Sequence, residues 1–274
     1  MWREVVARRE EPLRLSRQSN SWRGLRIDRN MLILSNDDVR AVLPMAEALS
    51  ALEQAYRDFA NGLAHGTTTR LDTRVTLSDT GRFFSFMSME GTTPDGDLMA
   101  LRFNANHEIF VTVNGKSKKA HLPSAPGARY LGLVLLVAMR DTRPLALLHD
   151  GYLSALRIGA TSALAAHCLS RPDAGDVGLI GCGDQARAQL LGLAEQYPDL
   201  SEVVTGRVAG RSAETQITFF MNNAGLGFQF AACGARAYAL ARERGLGHEV
   251  PTDWFLQPMT AWMPRDTDTF LDHE

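Results

Sequence analysis

Hydrophobic positions change period several times along this 274-residue chain, and each change marks an element. From Met45 to Leu63 the apolar residues Ala46, Leu49, Leu52, Ala55, Tyr56 and Phe59 recur every three or four positions, which predicts an amphipathic helix ending at Asn61-Gly62. Ahead of it, Met31–Ser35 predicts a short strand, and Ser35 or Asn36 caps a short helix with Asp37 and Asp38 in its first turn. The period then shortens to strands: 70–77, 83–89, 98–103, 108–113, 130–139 and 145–149. They are separated by turn residues such as Asp79-Thr80-Gly81, Thr93-Pro94-Asp95-Gly96 and Asp141-Thr142-Arg143-Pro144. Helical spacing returns over 151–170, where Leu153, Leu156, Ala160, Leu164 and Ala165 share a face. Residues 177–180 read as a short buried strand, followed by a glycine turn and a helix to about Gln196. Residues 206–220 suggest a loop and a strand. Residues 226–244 form a final helix closed by Gly245 or Gly247, and the tail from Pro251 reads as irregular.

Composition narrows the class more than the function. A hydrophobic share of 45% and a charged share of 22% are those of an ordinary globular protein, and the length allows one large domain or two modest ones. A formal net charge of −2 gives no reason to expect nucleic acid or an anionic membrane as partner, and no apolar run reaches the ~20 residues of a membrane-spanning helix. Cys168, Cys182 and Cys233 are odd in number and far apart, so neither a disulfide framework nor a metal site is expected, and a reducing cytoplasmic setting is the default. Residues 1–30 differ, with eight arginines among few large apolar residues. Glu4, Glu10, Glu11 and Asp28 argue against a transit peptide, and the reading is a disordered extension, or an over-long start with Met31 as the true beginning.

The candidate chemistry begins at 176–187, DVGLIGCGDQAR. Gly181, Gly183 and Ala186 fit the G-x-G-x-x-G/A pattern: one glycine for the turn, one for close approach of a pyrophosphate, and a small residue where helix meets strand. Phosphate would sit on the free N–H groups at the helix start, beside Asp184 and Gln185. Taken alone, the pattern is equally met by a plain glycine-rich turn between a strand and a helix.

Its neighbours make the match specific. The run 145–166 (LALLHDGYLSALRIGATSALAA), the Leu169-Ser-Arg-Pro-Asp173 that follows, the glycine motif with Gln185 inside it, the Gly206-Arg-Val-Ala-Gly-Arg-Ser212 element and the Gly225-Leu-Gly227 helix start together resemble the ornithine cyclodeaminase/mu-crystallin family over most of 31–260. The resemblance implies an α/β fold: an α+β substrate-binding and dimerisation domain from both chain ends (31–171 with 206–274), and an inserted Rossmann-like βα unit (172–205). It implies NAD or NADP as cofactor, a small amino-acid or cyclic imino-acid substrate, and a homodimer. The implied reactions are oxidative deamination with cyclisation, or imine reduction.

Position by position, the resemblance makes Arg157 the arginine that holds the substrate carboxylate, a task its planar fork suits. Arg70 or Arg74 stands at the second carboxylate-contacting arginine, Arg70 being preferred. Met89 matches a methionine that packs on substrate, and Thr161 lies either near the cofactor phosphates or within helix packing. Arg102 stands where many members carry lysine. Arginine stays protonated near neutrality and serves as a carboxylate ligand rather than a proton acceptor.

A second departure is larger. Only about ten residues separate the glycine-motif helix from the Gly206-Arg207 element, where the family would have on the order of a hundred, including its catalytic aspartate and most of a parallel sheet. Glu202 falls near the distance of a ribose reader from Gly181. The expectation is therefore an internally shortened chain with no assignable catalytic residue. The alternative to an enzyme is an inactive paralogue that keeps the dimerisation and ligand-binding domain.

Overall fold

The computed structural model describes residues 30–66, 71–78, 81–94, 97–122, 125–126, 130–170, 177–179, 183–196 and 225–256. The leader 1–29, Arg70, the turn at 180–182 with Gly181, Glu202, the 206–220 element and the tail beyond Leu256 lie outside the described residues.

In chain order the elements are β1 (Asn30–Leu34), α1 (Asn36–Val42), α2 (Met45–Ala60), β2 (Leu71–Thr76), β3 (Phe83–Thr93), β4 (Leu98–Val113), β5 (Lys116–Leu122), β6 (Leu131–Ala138) and β7 (Pro144–His149). They are followed by α3 (Asp150–Leu169), α4 (Asp184–Gln196), α5 (Gly227–Arg244), β8 (His248–Pro251) and a 3₁₀ turn (Thr252–Trp254). The strands form a single eight-stranded sheet in the order β2-β3-β4-β6-β7-β1-β8, with β5 paired to the outer half of β4. Only β1–β7 is parallel. The other pairs are antiparallel.

Local chemistry explains the boundaries. Ser35 caps α1 by accepting from Asp38 N–H, and Asp38 Oδ2 accepts in return from Ser35 N–H at 2.9 Å, a reciprocal capping box. The Ser35 hydroxyl, donating to Asp38 Oδ2 at 2.6 Å, and the Ser35 N–H beside it hold the Asp38 carboxyl below its usual range. α2 ends at Asn61, and α5 ends at Gly245, whose φ of 64° is the left-handed conformation that closes a helix. The hairpin β4–β5 turns through Asn114-Gly115, both at positive φ, the signature of a type I′ turn.

The core lies on one face of the sheet. Alternation turns Leu32, Leu34, Met89, Ala100, Val134, Leu136, Ala146 and Leu148 inward, where α5 lies against β3, β4 and β6 and α2 and α3 pack beside it. At the entry to α5 the fit is backbone on backbone. A Cβ at Gly227 would fall 1.6 Å from Glu90 O, and one at Gly91 would fall 2.0 Å from Phe228 N. The opposite face of β6 carries Leu131, Leu133, Leu135 and Val137, exposed or half-exposed, while Val134 and Leu136 between them are fully buried. Val75 and Leu71 of β2 extend this exposed apolar face, and no helix among the described residues covers it.

Three expectations are corrected. The strands expected at 98–103 and 108–113 are one, because Asn104–His107 keep pairing with β3 through the polar interruption. Lys116–Leu122 and His248–Pro251 are also strands: the first is lysine-rich, as suits an edge, and the second pairs with β1. Finally, Val177–Leu179 is not a strand. It is exposed (Val177 61%) and pairs with no strand among the described residues.

Candidate carboxylate-binding site

The helix α3 brings three of the relevant side chains to one face, since Asp150, Arg157 and Thr161 are spaced by seven and four residues. All three are buried. Asp150 is the first residue of α3, where the helix dipole favours an anion, and Gly132 of β6 leaves the room for it: a Cβ there would meet Asp150 Oδ2 at 3.0 Å. His149 beside it caps the helix, its Nδ1 accepting from Gly151 N–H at 3.0 Å.

Arg102 comes from β4, opposite Met89 of β3 and Val134 of β6, so its side chain enters the same face. It donates to Asp150 Oδ2 from Nε at 2.7 Å and from Nη2 at 2.6 Å. Its guanidinium carbon lies 5.5 Å from the Phe230 ring centre, and that of Arg157 lies 4.8 Å from the same ring. Two guanidiniums thus share one aromatic ring, and Asp150 is the one carboxylate described between them. Burial first, and the positive charge of Arg102 second, pull the Arg157 pKa down to about 10, with Asp150 acting in the opposite sense. At neutral pH Arg157 stays charged.

Gln229 of α5 holds the other side of Arg157. Its Oε1 accepts from Arg157 Nη1 at 2.9 Å and from Leu226 N–H at 3.1 Å. Its Nε2 donates to Tyr56 OH at 2.6 Å and lies 3.3 Å from Thr161 Oγ1. Arg157 Nε is buried with no partner, and so is Asn104 Oδ1, on the same face of β4 two residues beyond Arg102. A donor and an acceptor therefore stand uncompensated in one region. The nearby Cys233 thiol is fully buried and pushed up to about 12, so it is no thiolate at neutral pH.

The predicted site residues divide into two groups. Arg157, Arg102 and Met89 converge, Met89 within the core cluster. Thr161 faces Gln229 within that interior. Arg74 lies four residues along the β3–β4 ladder from Arg102, ~14 Å at strand spacing, and meets Asp72 at 3.0 Å and the buried Glu108 at 3.2 Å. Gly183, Asp184 and Gln185 are exposed, and Ala186 is half-exposed, at the start of α4. That helix docks on α3 through glycines: a Cβ at Gly159 would fall 2.1 Å from Ala188 O, and one at Gly192 would fall 2.5 Å from Gly159 O. Sequence reasoning singled out neither Gln229, Phe230 nor Tyr56 as a site residue, and it assigned no role to Asp150 or His149 within the run 145–166.

Residues 29–242 match the ornithine cyclodeaminase/mu-crystallin family. The chain belongs to that family. An alanine dehydrogenase of Archaeoglobus fulgidus is 28% identical over 188 residues, which are 69% of this chain and 52% of that protein. A Delta(1)-pyrroline-2-carboxylate reductase of Bacillus cereus is 26% identical over 190 residues, 69% of this chain and 52% of its own length. The chain thus spans about half the length of the curated relatives it matches. Among solved structures, an archaeal alanine dehydrogenase dimer with bound NAD superposes with a TM-score of 0.61 at 18% identity, over 81% of this chain and 99% of that one. A Thermococcus litoralis Delta(1)-pyrroline-2-carboxylate reductase in complex with NADH and L-proline gives 0.59 at 20% identity, over 80% and 100%. These two show a shared α/β fold.

Proposed function

We propose that this chain binds a small amino or imino acid by its carboxylate at Arg157, as part of an NAD(P)-linked oxidoreductase or cyclodeaminase system. One observation carries the reading: Arg157 and Arg102 share the Phe230 ring with one neutralising carboxylate, and Arg157 Nε is buried without a partner. A ligand carboxylate would supply the missing acceptor and the missing negative charge. The unpartnered Asn104 Oδ1 would accept from a donor on the same ligand, which an amino or protonated imino nitrogen provides.

Within such a reaction the residues have separate tasks. Arg157 fixes the carboxylate, and Asp150 holds Arg102 in place, so that the α-carbon is positioned by rigid elements. Neither arginine accepts a proton near neutral pH. When bound, a nicotinamide cofactor supplies hydride transfer to or from the α-carbon. The described residues fit only part of such a cofactor. The first turn of α4 beside Gly183 would present its N–H groups to a phosphate, and a Cβ at Gly183 would meet nothing within 4 Å. Val177–Leu179, where the Rossmann strand was expected, pairs with nothing among the described residues. No step is therefore assigned through the cofactor.

A second reading, an inactive shortened paralogue, is favoured by that unpaired segment and by the half-length match to relatives. Its domain plan is a substrate and dimerisation unit (31–171 with 206–274) around a remnant of the nucleotide domain (172–205), after an extension at 1–30. The apolar face of β2, β4 and β6, which no helix among the described residues covers, supports a homodimer for both readings. A titration of the full chain with NADH and NADPH, followed by nucleotide fluorescence, separates the two. Saturable binding below millimolar concentration supports the NAD(P)-linked system, and a flat response up to that concentration leaves the carboxylate-binding paralogue.

A further inference from the structure

The carboxylate reading names Arg157 but not which of its edges the ligand meets, and the surroundings of the guanidinium decide that. An arginine fork has an Nη1–Nη2 end and an Nε–Nη2 side, and either can take a carboxylate bidentately. Here Nη1 is already donated to Gln229 Oε1 at 2.9 Å. The backbone at Gly225 lies against the guanidinium over its Nη1 corner: a Cβ there would fall 2.4 Å from Nη1, 2.7 Å from Cζ and 2.8 Å from Nη2. One face of the group is occupied by the Phe230 ring at 4.8 Å. The donor left buried and unpaired is Nε.

We propose that Gln229 is a positioning residue that orients Arg157 so that a ligand carboxylate is taken side-on, through Nε and Nη2. This rests on the reading of Arg157 as the carboxylate ligand. The amide of Gln229 is itself fixed. Its oxygen faces Arg157 and Leu226 N–H, and its nitrogen faces Tyr56 OH, so Tyr56 sets the amide and the amide sets the guanidinium. The carboxylate does not touch Gln229. Gly225 belongs to the same device, because any side chain there would push the guanidinium off this orientation.

The test uses the full chain with nitrogen-15-labelled arginine and L-proline as probe carboxylate, following the Arg157 Nε–H resonance, assigned by its loss in Arg157→Lys. In the wild type, L-proline shifts this resonance strongly, since Nε gains its missing acceptor. Gln229→Leu, which removes all the amide's hydrogen bonds at similar size, moves the Nε resonance in the ligand-free protein and weakens L-proline binding tenfold or more. In an Arg157→Lys background the same Gln229→Leu change costs no further affinity, because its effect runs through the guanidinium. Gly225→Ala, which leaves Gln229 in place, gives the same two effects and serves if the leucine variant does not fold.

Three results would overturn the proposal. The first is an L-proline affinity unchanged in Gln229→Leu and Gly225→Ala. The second is an equal loss with and without Arg157. The third is a ligand-induced shift absent at Nε although proline binds. If wild type binds no L-proline but the ligand-free Nε resonance still moves in the variants, the orientation by Gln229 stands, and it is the carboxylate reading that fails for this probe.

Discussion

Replacing Asp150 by asparagine removes one charge and almost no volume, at a place where the structure makes the charge count. Asp150 is 1% exposed and Arg102's side chain 11% exposed, so little water screens either. The two contacts at 2.6 and 2.7 Å both end on Oδ2, and the second guanidinium, Arg157, is 6% exposed around the same aromatic ring. Asp150→Asn leaves two buried cations with no described anion between them. Breaking a buried pair from one side costs about 3–5 kcal/mol. Urea unfolding followed by circular dichroism is the assay, and the expected loss is at least about 3 kcal/mol, or roughly 1 M or more in the midpoint. Removing both partners, in Arg102→Met with Asp150→Leu, should recover the part of that loss that comes from Arg102, leaving Arg157 as the one buried cation without its carboxylate. A single variant within about 1 kcal/mol of wild type, or a double variant no better than the single, would refute the claim that Asp150 exists to compensate these arginines.

Other consequences follow from the same structure. Gly227→Ala puts a methyl 1.6 Å from Glu90 O, so α5 must move off β3; a loss above the usual ~1–3 kcal/mol of overpacking is expected by thermal unfolding. Carboxylate binding should be level from neutral pH to about 9 and fall as pH rises through about 10, where Arg157 loses its proton. The sign is fixed by the shift. A cation whose folded pKa is lowered by burial disfavours folding while charged, so that penalty is present below about 10 and relieved above it, as affinity is lost. A bound carboxylate should move the midpoint upward. Leu135→Glu, on the uncovered face of β6, should turn a dimer into a monomer in sedimentation equilibrium, whereas a monomeric wild type would remove the homodimer from the account.

Much of this was legible in the sequence where a local rule decides. The period of Ala46, Leu49, Leu52 and Ala55 placed α2, with Leu49, Leu52 and Ala55 on its buried face, and of the two capping residues offered for α1, Ser35 or Asn36, the structure uses Ser35. The resemblance carried by the run from Leu145 to Ala166 pointed to Arg157, and the structure buries it beside Arg102. What was not legible depends on partners distant in sequence. Asn104–His107 looks like a break, yet it pairs because β3 runs alongside for eleven residues. Val177–Leu179 has the apolar composition of a strand, yet it pairs with none among the described residues. Gln229 sits in an alanine-rich helix just past the Gly225-Leu-Gly227 start, and its role exists only because α5 brings it to Arg157, seventy-two residues away.

The central claim is that Arg157 seats a ligand carboxylate. Calorimetric titration of L-proline into the wild-type chain and into Arg157→Met tests it most directly. Saturable heat in the wild type that vanishes in the variant is the predicted result. Equal heats in the two proteins, or none in either with L-alanine also silent, would contradict it.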